Sequence, residues 1–134
     1  MINCLMENVM TDVVAAVIRR DGKVLICRRP EGKQCALLWE FPGGKPEKGE
    51  TMEQALAREC MEELAIEISV GKPLHQTVVD TPGRTLRLNF FAAEIIGGTL
   101  TRKEHAEIRW AAPEELPQYD FCPSDREFLE TYRF

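Results

Sequence analysis

Residues 43–66 read GGKPEKGETMEQALARECMEELAI, a glycine pair followed by an amphipathic stretch with helical periodicity. On such a helix Glu59 and Glu63 lie about 40° apart, and Glu62 lies about 60° to the other side of Glu59. Like charges at these spacings destabilise a helix by about a few tenths of a kcal/mol per pair. Keeping them on one face therefore predicts a bound cation, and we interpret the stretch as a divalent-metal site for phosphate chemistry.

The properties of the whole chain narrow the class of protein. Its 134 residues, 44% of them hydrophobic, predict a single domain over 1–134, with residues 1–10 as a loosely ordered extension. Five cysteines without a CxxC pair favour a reducing compartment. A net charge of −5 argues against a nucleic-acid polymer as partner. Because the chain lacks both a long apolar stretch and the features of a signal peptide, we expect a cytoplasmic protein with no membrane partner.

The order of the predicted elements indicates an α+β fold, an α/β/α sandwich with a mixed central β-sheet between helices. Asp21-Gly22 predicts a hairpin turn, and the apolar run before it predicts a strand buried on both faces. Thr51 with Gln54, and Ser124 with Glu127, match the capping-box pattern at the start of a helix. The predicted strands cover residues 11–19, 23–27, 67–70, 74–80, 84–96 and 108–111, and the predicted helices cover 51–64 and 124–132, with a helical turn at 113–116.

The spacing of the central stretch carries a family resemblance. It runs from Gly44 through five residues to Glu50, then through seven residues to Arg58-Glu59-Cys60, and closes with Glu62-Glu63 and Ala65-Ile66. This resembles the Nudix box, G-x5-E-x7-R-E-U-x-E-E-x-G-U, where U is a bulky apolar residue. Ala65 replaces the last glycine and Cys60 is small for its position, but neither position supplies a side-chain metal ligand. The resemblance covers most of residues 11–130 and implies the Nudix fold and a metal-dependent hydrolase.

The resemblance also implies roles for the acidic residues. Glu59 and Glu63 would be metal ligands together with the backbone carbonyl of Gly43, and Glu62 would be a ligand or the general base. Mg²⁺ or Mn²⁺ is the expected cofactor, because hard cations take oxygen ligands and share them with substrate phosphates. Such a metal would lower the pKa of a bound water molecule, and a remaining carboxylate would accept the proton.

Further site residues follow from the same resemblance. Arg58 would orient a carboxylate, with Glu50 as its partner. A further acidic ligand is expected from a later loop, where Glu104 is preferred and Glu107 is the rival. His105 is interpreted as a loop residue rather than a ligand, since hard cations prefer oxygen.

Residues 38–45, LWEFPGGK, resemble the LEFPGGK run of the MutT-type branch of this family. Those enzymes hydrolyse nucleoside triphosphates, notably oxidised dGTP, to the monophosphate and pyrophosphate. Lys45 would face the phosphates, and Arg29 is preferred over Arg28 as a guanidinium contact to phosphate. The residues assigned to the substrate in this part of the chain are Arg28, Arg29, Glu40 and Phe41.

The residue that would recognise the base is Asp125, at the position where the MutT branch has an asparagine. An ionised Asp only accepts hydrogen bonds, so it would favour an N–H edge of cytosine or guanine. An alternative interpretation is that Asp125 only stabilises a helix N-terminus. We expect oxidised or modified nucleotides such as 8-oxo-dGTP as substrates of a monomer or homodimer, with CTP, modified dCTP or ADP-ribose as alternatives. The aromatic candidates for stacking on the base are Trp39, Phe41, Phe90 and Phe91.

Overall fold

The computed structural model of the protein describes residues 9–134, and no helix within them is long and apolar enough to cross a membrane. Its strands are β1 (Val9–Arg20), β2 (Lys23–Arg28), β3 (Trp39–Glu40), β4 (Gly43–Gly44), β5 (Ile66–Thr81), β6 (Arg84–Gly98) and β7 (Glu107–Ala111). Its helices are α1 (Met52–Leu64), a 3-10 helix (Pro113–Gln118) and α2 (Pro123–Thr131).

Strand β1 lies at the centre of the sheet. It pairs in parallel with β6 over its length, and its other edge pairs with the short strand β4 and, near its end, with β2. Strands β5 and β6 form a long antiparallel hairpin, and β2 pairs with both β3 and β7. Parallel and antiparallel pairs in one sheet confirm the predicted mixed sheet. The turn Asp21-Gly22 has φ angles of 53° and 76° and confirms the predicted hairpin.

Apolar residues of β1 face both sides of the sheet. Val14, Ala16 and Ile18 pack in the core beneath α1, whereas Ala15 and Val17 pack in a second, aromatic core beneath α2. Alternating side chains of one strand therefore contribute to both cores. This confirms the prediction that the strand is buried on both faces.

Helix α1 begins as the sequence predicts. Thr51 Oγ1 accepts from the Gln54 N–H at 3.0 Å, and the Gln54 side chain accepts from the Thr51 N–H at 3.0 Å. The helix ends at Ala65, whose φ of 58° and ψ of 34° are left-handed. This is the position where the Nudix box has glycine, so the alanine adopts the conformation despite its Cβ.

Helix α2 begins differently from the prediction. Pro123 is its first residue, and its cap, Cys122, makes no side-chain capping bond within the described part of the chain. The predicted pairing of Ser124 with Glu127 is therefore wrong as a capping box. Proline at the first helical position presets φ and lacks the N–H that a cap would satisfy. The Glu127 carboxylate instead accepts hydrogen bonds from Thr77 and His75 on β5.

Other boundaries also differ from the prediction. Strand β5 runs continuously through the region predicted as two strands, because bulges between Val70 and His75 absorb its irregularity. Strand β1 includes Val9 and Met10, and the remainder of the predicted extension, residues 1–8, lies outside the described residues.

Candidate active site

Strand β4 and helix α1 bring a glycine turn against an acidic side chain. A Cβ atom added to Gly44 would lie 1.8 Å from Oε2 of Glu59, and one added to Gly43 would lie 1.8 Å from the Val14 carbonyl oxygen. Gly43 therefore needs glycine because it approaches the backbone, whereas a side chain at Gly44 would displace the Glu59 carboxylate. The glycines let the turn lie directly beside the carboxylate.

Glu63 lies one helical turn after Glu59 and is more deeply buried. Burial, followed by the negative charges of Glu59, Glu40 and Glu104, raises the pKa of Glu63 to about 9. The pKa of Glu59 is also raised, chiefly by burial, and the two carboxyl groups share a hydrogen bond. Oε1 of Glu63 is buried and has no hydrogen-bond partner within residues 9–134. A buried oxygen without a hydrogen-bond partner, among carboxyl groups that repel one another, fits the chemistry of a cation-binding site.

The loop before β7 adds Glu104 to this group. Its charge raises the pKa values of both Glu59 and Glu63. Glu107, the rival candidate, instead contacts Arg109 and lies 3.8 Å from Arg28. The structure therefore brings Glu104, and not Glu107, to the acidic helix.

The oxygen atoms available here are of the kind that a divalent cation binds, although the side chains that carry them do not converge on one point. In the described part of the chain, no group of three or more His, Cys, Asp or Glu side chains is arranged so that it could hold a metal ion. Because adjacent like charges repel, Glu59 and Glu63 can share a hydrogen bond only when one of the two carboxyl groups is protonated. The available donors are carboxylate oxygens and the Gly43 carbonyl, which are the hard ligands that Mg²⁺ prefers.

Arg58 fixes the opposite edge of the acidic face. Its Nε and Nη2 donate to Glu50 at 2.7 and 3.0 Å, and Nη2 also donates to the Lys45 carbonyl oxygen at 3.1 Å. The guanidinium lowers the pKa of Glu50, and its Nη1 donates to the more exposed Glu62 at 3.1 Å. Arg58 therefore connects the glycine turn, Glu50 and α1, which is the orienting position expected for it.

A polar chain connects Arg29 with the acidic helix. Arg29 Nη1 donates to Glu40 at 3.0 Å, the other Glu40 oxygen lies 3.1 Å from His105 Nε2, and this nitrogen is 3.8 Å from Glu63. His105 is only 5% exposed, and its Nδ1 has no partner among the described residues. Our sequence interpretation set His105 aside as a loop residue. Its position directly after Glu104 is the feature that could have indicated a place in the site.

These residues line two adjoining cavities. The acidic pocket, about 170 Å³, is lined by residues that include Arg29, Glu40, Gly43, Glu63, Glu104 and His105. The second cavity, which we call the Asp125 pocket, has a volume of about 260 Å³. Its lining includes Arg29, Gln34, Cys35, Glu40, Gly43, Lys45, Leu88, Cys122 and Asp125. Arg29, Glu40 and Gly43 line both pockets, so the two pockets adjoin at these residues.

Asp125 is buried at the far side of this site. It is 4% exposed, and its Oδ1 accepts a hydrogen bond of 3.0 Å from the Phe41 N–H. Burial raises the pKa of Asp125 to about 7, while the bond from Phe41 opposes that shift. The side chain therefore ties the first turn of α2 to the loop between β3 and β4.

Some predicted substrate contacts do not occupy the site as expected. The Phe41 ring stacks on Phe121 at 5.7 Å, and the Phe90 ring stacks on Phe128 at 4.2 Å. Trp39 packs in the same aromatic core, and Phe91 packs beneath α1. Core packing buries the faces of Trp39, Phe90 and Phe91, which argues against these candidates for stacking on a base. Phe41 also lines the Asp125 pocket, so it stays a predicted substrate contact. Arg28 Nε donates to the Leu37 carbonyl oxygen at 2.9 Å and holds the loop.

The fold places the carboxylates of helix α1 beside the glycine turn of β4. Residues 10–132 match the family profile of the NUDIX domain. The chain belongs to the Nudix family and is a Nudix hydrolase, acting on phosphoric anhydrides. This confirms the family and the fold expected from the spacing of residues 44–66.

The similarity extends over most of each relative. The chain is 43% identical over 123 residues to the CTP pyrophosphohydrolase of Escherichia coli (strain K12), covering 92% of this chain and 91% of that protein. It is 35% identical over 120 residues to the putative 8-oxo-dGTP diphosphatase 2 of Mycobacterium tuberculosis (strain ATCC 25618 / H37Rv), covering 87% and 84% respectively. The solution structure of the E. coli ORF135 protein has a TM-score of 0.81 and 42% identity, covering 92% of this chain and 88% of that one.

Proposed function

We propose that this chain hydrolyses nucleoside triphosphates to the monophosphate and pyrophosphate, in a metal-dependent reaction. The observation that carries the proposal is the junction of the two pockets at Arg29, Glu40 and Gly43. A triphosphate in the acidic pocket would leave its base in the Asp125 pocket. The chain also covers most of the length of relatives that carry the names pyrophosphohydrolase and diphosphatase.

The proposed cofactor is Mg²⁺ or Mn²⁺, held by Glu59, Glu63, Glu104 and the Gly43 carbonyl. When bound, the ion would neutralise phosphate charge and lower the pKa of a water molecule. Glu62 is a further ligand or the group that accepts the proton from water.

The remaining side chains would bind and orient the substrate. Arg29 lines both pockets, and Lys45 lies two residues after the shared Gly43, so their positive charges would hold the phosphates where the pockets meet. Arg58 would keep Glu50 and Glu62 in place through its hydrogen bonds.

For the base we propose an oxidised or modified purine such as that of 8-oxo-dGTP, with CTP or modified dCTP as the second candidate. The 43% identity to a CTP pyrophosphohydrolase favours the second candidate, and the relationship to a putative 8-oxo-dGTP diphosphatase favours the first. Asp125 would accept a hydrogen bond from either base. We expect the protein to act as a monomer or homodimer on the free nucleotides of the cytoplasm, maintaining the nucleotide pool without a membrane or nucleic-acid polymer as partner.

A nucleotide panel with Mg²⁺ tests this function. The panel contains canonical nucleoside triphosphates, 8-oxo-dGTP, 5-hydroxy-dCTP and ADP-ribose, with monophosphate and pyrophosphate measured by chromatography. We expect equimolar monophosphate and pyrophosphate, and loss of turnover with excess chelator. Release of orthophosphate, or faster cleavage of ADP-ribose than of every triphosphate, would contradict the proposal. A Glu59→Gln preparation made in parallel controls for contaminating phosphatases.

A further inference from the structure

Two cysteines that the proposed reaction does not use line the Asp125 pocket. Cys35 is half-buried in the loop between β2 and β3, and Cys122 is buried at the start of α2. The Cys122 N–H donates to the Trp39 carbonyl oxygen at 2.8 Å, and the Leu38 N–H donates to the Cys35 carbonyl oxygen at 3.1 Å. Backbone hydrogen bonds therefore hold both cysteines beside the same short segment of chain.

The two side chains also interact directly. Burial and then the Asp125 carboxylate raise the pKa of the Cys122 thiol most, and the charge of Cys35 and a hydrogen bond with Cys35 raise it further. Cys27 and Cys60 differ from this pair, because both are completely buried in the core beneath α1. An oxidant in solvent can reach Cys35 through the pocket, whereas it cannot reach that core pair without opening the fold.

We propose that Cys35 and Cys122 are a redox modification site, at which a hydroperoxide drives formation of a reversible disulfide across the rim of the Asp125 pocket. The Cys35 sulfur attacks the peroxide, giving Cys35 sulfenic acid and one molecule of alcohol or water. The Cys122 sulfur then attacks the sulfenic sulfur and forms the S–S bond. The hydroxyl group leaves with the Cys122 thiol proton as water, so two thiols are oxidised and one peroxide is reduced.

The disulfide would change the pocket without touching α1. An S–S bond of about 2.05 Å is much shorter than a thiol–thiol contact, so it would draw the loop toward the start of α2. Arg29 and Gln34 lie on the loop side of the pocket, and Asp125 follows Cys122 on the other side. The bond would therefore raise KM for the nucleotide more than it lowers kcat. This kinetic consequence depends on the proposed function, whereas formation of the disulfide does not.

Peptide mapping tests the disulfide itself. The full-length reduced protein is treated with hydrogen peroxide, alkylated and digested with trypsin without reductant. We expect a cross-link between peptides 34–48 and 110–126, which dithiothreitol removes. Cys35→Ser and Cys122→Ser should each abolish it, and Cys4→Ser, which preserves the pair, should retain it. Circular dichroism checks that each variant is folded. If Cys122→Ser is unstable, Cys35→Ser still tests the disulfide, because Cys35 is only half-buried and its substitution disturbs the fold less.

Kinetics on the same samples test the effect on the pocket. We expect oxidation to raise KM by about tenfold, with kcat nearly unchanged and full recovery after reduction. Each cysteine variant is compared with its own reduced form and should keep its KM after peroxide treatment. An absent cross-link, or one joining other cysteines, would overturn the disulfide. A mapped cross-link with unchanged KM would overturn the pocket effect, and a protein without nucleotide turnover would refute the proposed function alone.

Discussion

At the residue scale, Asp125 has a role that its position in a helix does not reveal. A carboxylate in the first turn of a helix is commonly explained by the helix dipole. Asp125 is instead buried and accepts a hydrogen bond from Phe41, 84 residues away in sequence. The same carboxylate lines the pocket next to Glu40 and Arg29. Asp125 therefore has two roles to distinguish, a hydrogen bond that stabilises the fold and a proposed contact to the base. Substitutions at this position can separate these roles.

We predict that Asp125→Ala lowers the free energy of unfolding by about 1–3 kcal/mol, because the buried Phe41 N–H loses its acceptor. Asp125→Asn keeps an acceptor oxygen and should recover most of this loss, but it adds a donor toward the base. Both variants should change the order of preference among nucleotides while turnover persists. Urea unfolding and the nucleotide panel provide the measurements. A preference order unchanged in both variants would restrict Asp125 to a structural role.

The paired glutamates of α1 give a second prediction. Glu59→Gln or Glu63→Gln should lower kcat by about 10²-fold or more, because a proposed metal or proton contact is lost while the side-chain shape is kept. Glu53→Gln is the matched control, since Glu53 is an exposed acid in the first turn of the same helix. Steady-state kinetics with Mg²⁺ and thermal unfolding distinguish lost chemistry from lost folding. Turnover equal to that of the Glu53 control would contradict the site assignment.

Part of this site is local in sequence and part is not. Helical spacing places Glu59 and Glu63 on one face whatever surrounds them, so the sequence predicts their proximity. The contacts of His105 with Glu40 and Glu63 join three separate segments of the chain. The burial of the Phe41 ring likewise depends on packing against α2. These tertiary contacts join residues far apart in the chain, and a local sequence pattern carries no information about them. For this reason the sequence did not predict them.

At the element scale, the ends of α1 and α2 show what local chemistry determines. The capping box of α1 needs only Thr51 and Gln54, three residues apart, and the sequence predicted it correctly. The start of α2 is set by Pro123 and by the backbone bond from Cys122 to Trp39, while Glu127 contacts β5. A capping pattern is therefore informative only where no tertiary partner competes for its side chain.

The left-handed end of α1 gives the third prediction. Ala65→Gly should raise the free energy of unfolding by about 0.5–1 kcal/mol, because glycine has no Cβ penalty at positive φ. Ala57→Gly, in the interior of the same helix, is the opposite control and should lower stability by about 1 kcal/mol. Urea unfolding at one temperature measures both variants. Destabilisation of similar size by both glycines would show that the backbone at Ala65 does not carry the expected strain.

At the scale of the whole molecule, the site lies where the partner of β1 changes. The edge of β1 opposite β6 pairs with β4 at Val14 and Ala15, and it pairs with β2 only from Arg19 onward. This arrangement places the glycine turn of β4 between the two cores and next to α1. The sequence predicted a mixed sheet with helices on both sides. It could not predict the change of partner, because strand pairing depends on non-local register.

The buried acidic group also couples the stability of the whole fold to pH. The pKa of Glu63 is about 9 in the folded protein, against 4.5 for an ordinary glutamate, so the folded chain keeps a proton that the unfolded chain releases between these values. Because the unfolded state then binds fewer protons, the free energy of unfolding falls as pH rises through this window. The stabilising proton is thus fully effective only below the unfolded pKa. Through Glu63, the metal-free protein should therefore be more stable at the acidic end of this pH window than at its alkaline end.

The fourth prediction separates the proton from the cation. Without metal, wild type should lose more stability than Glu63→Gln between about pH 5 and pH 9, because glutamine has no proton to lose. Near pH 8, excess Mg²⁺ should raise the Tm of wild type by about 3 °C or more and leave Glu63→Gln nearly unchanged, since a ligand that binds the folded state stabilises it. Thermal unfolding with and without chelator measures both effects, with Glu53→Gln expected to behave as wild type. If Mg²⁺ stabilised Glu63→Gln as much as wild type, Glu63 would not be a metal ligand, and its unpaired Oε1 would need another explanation.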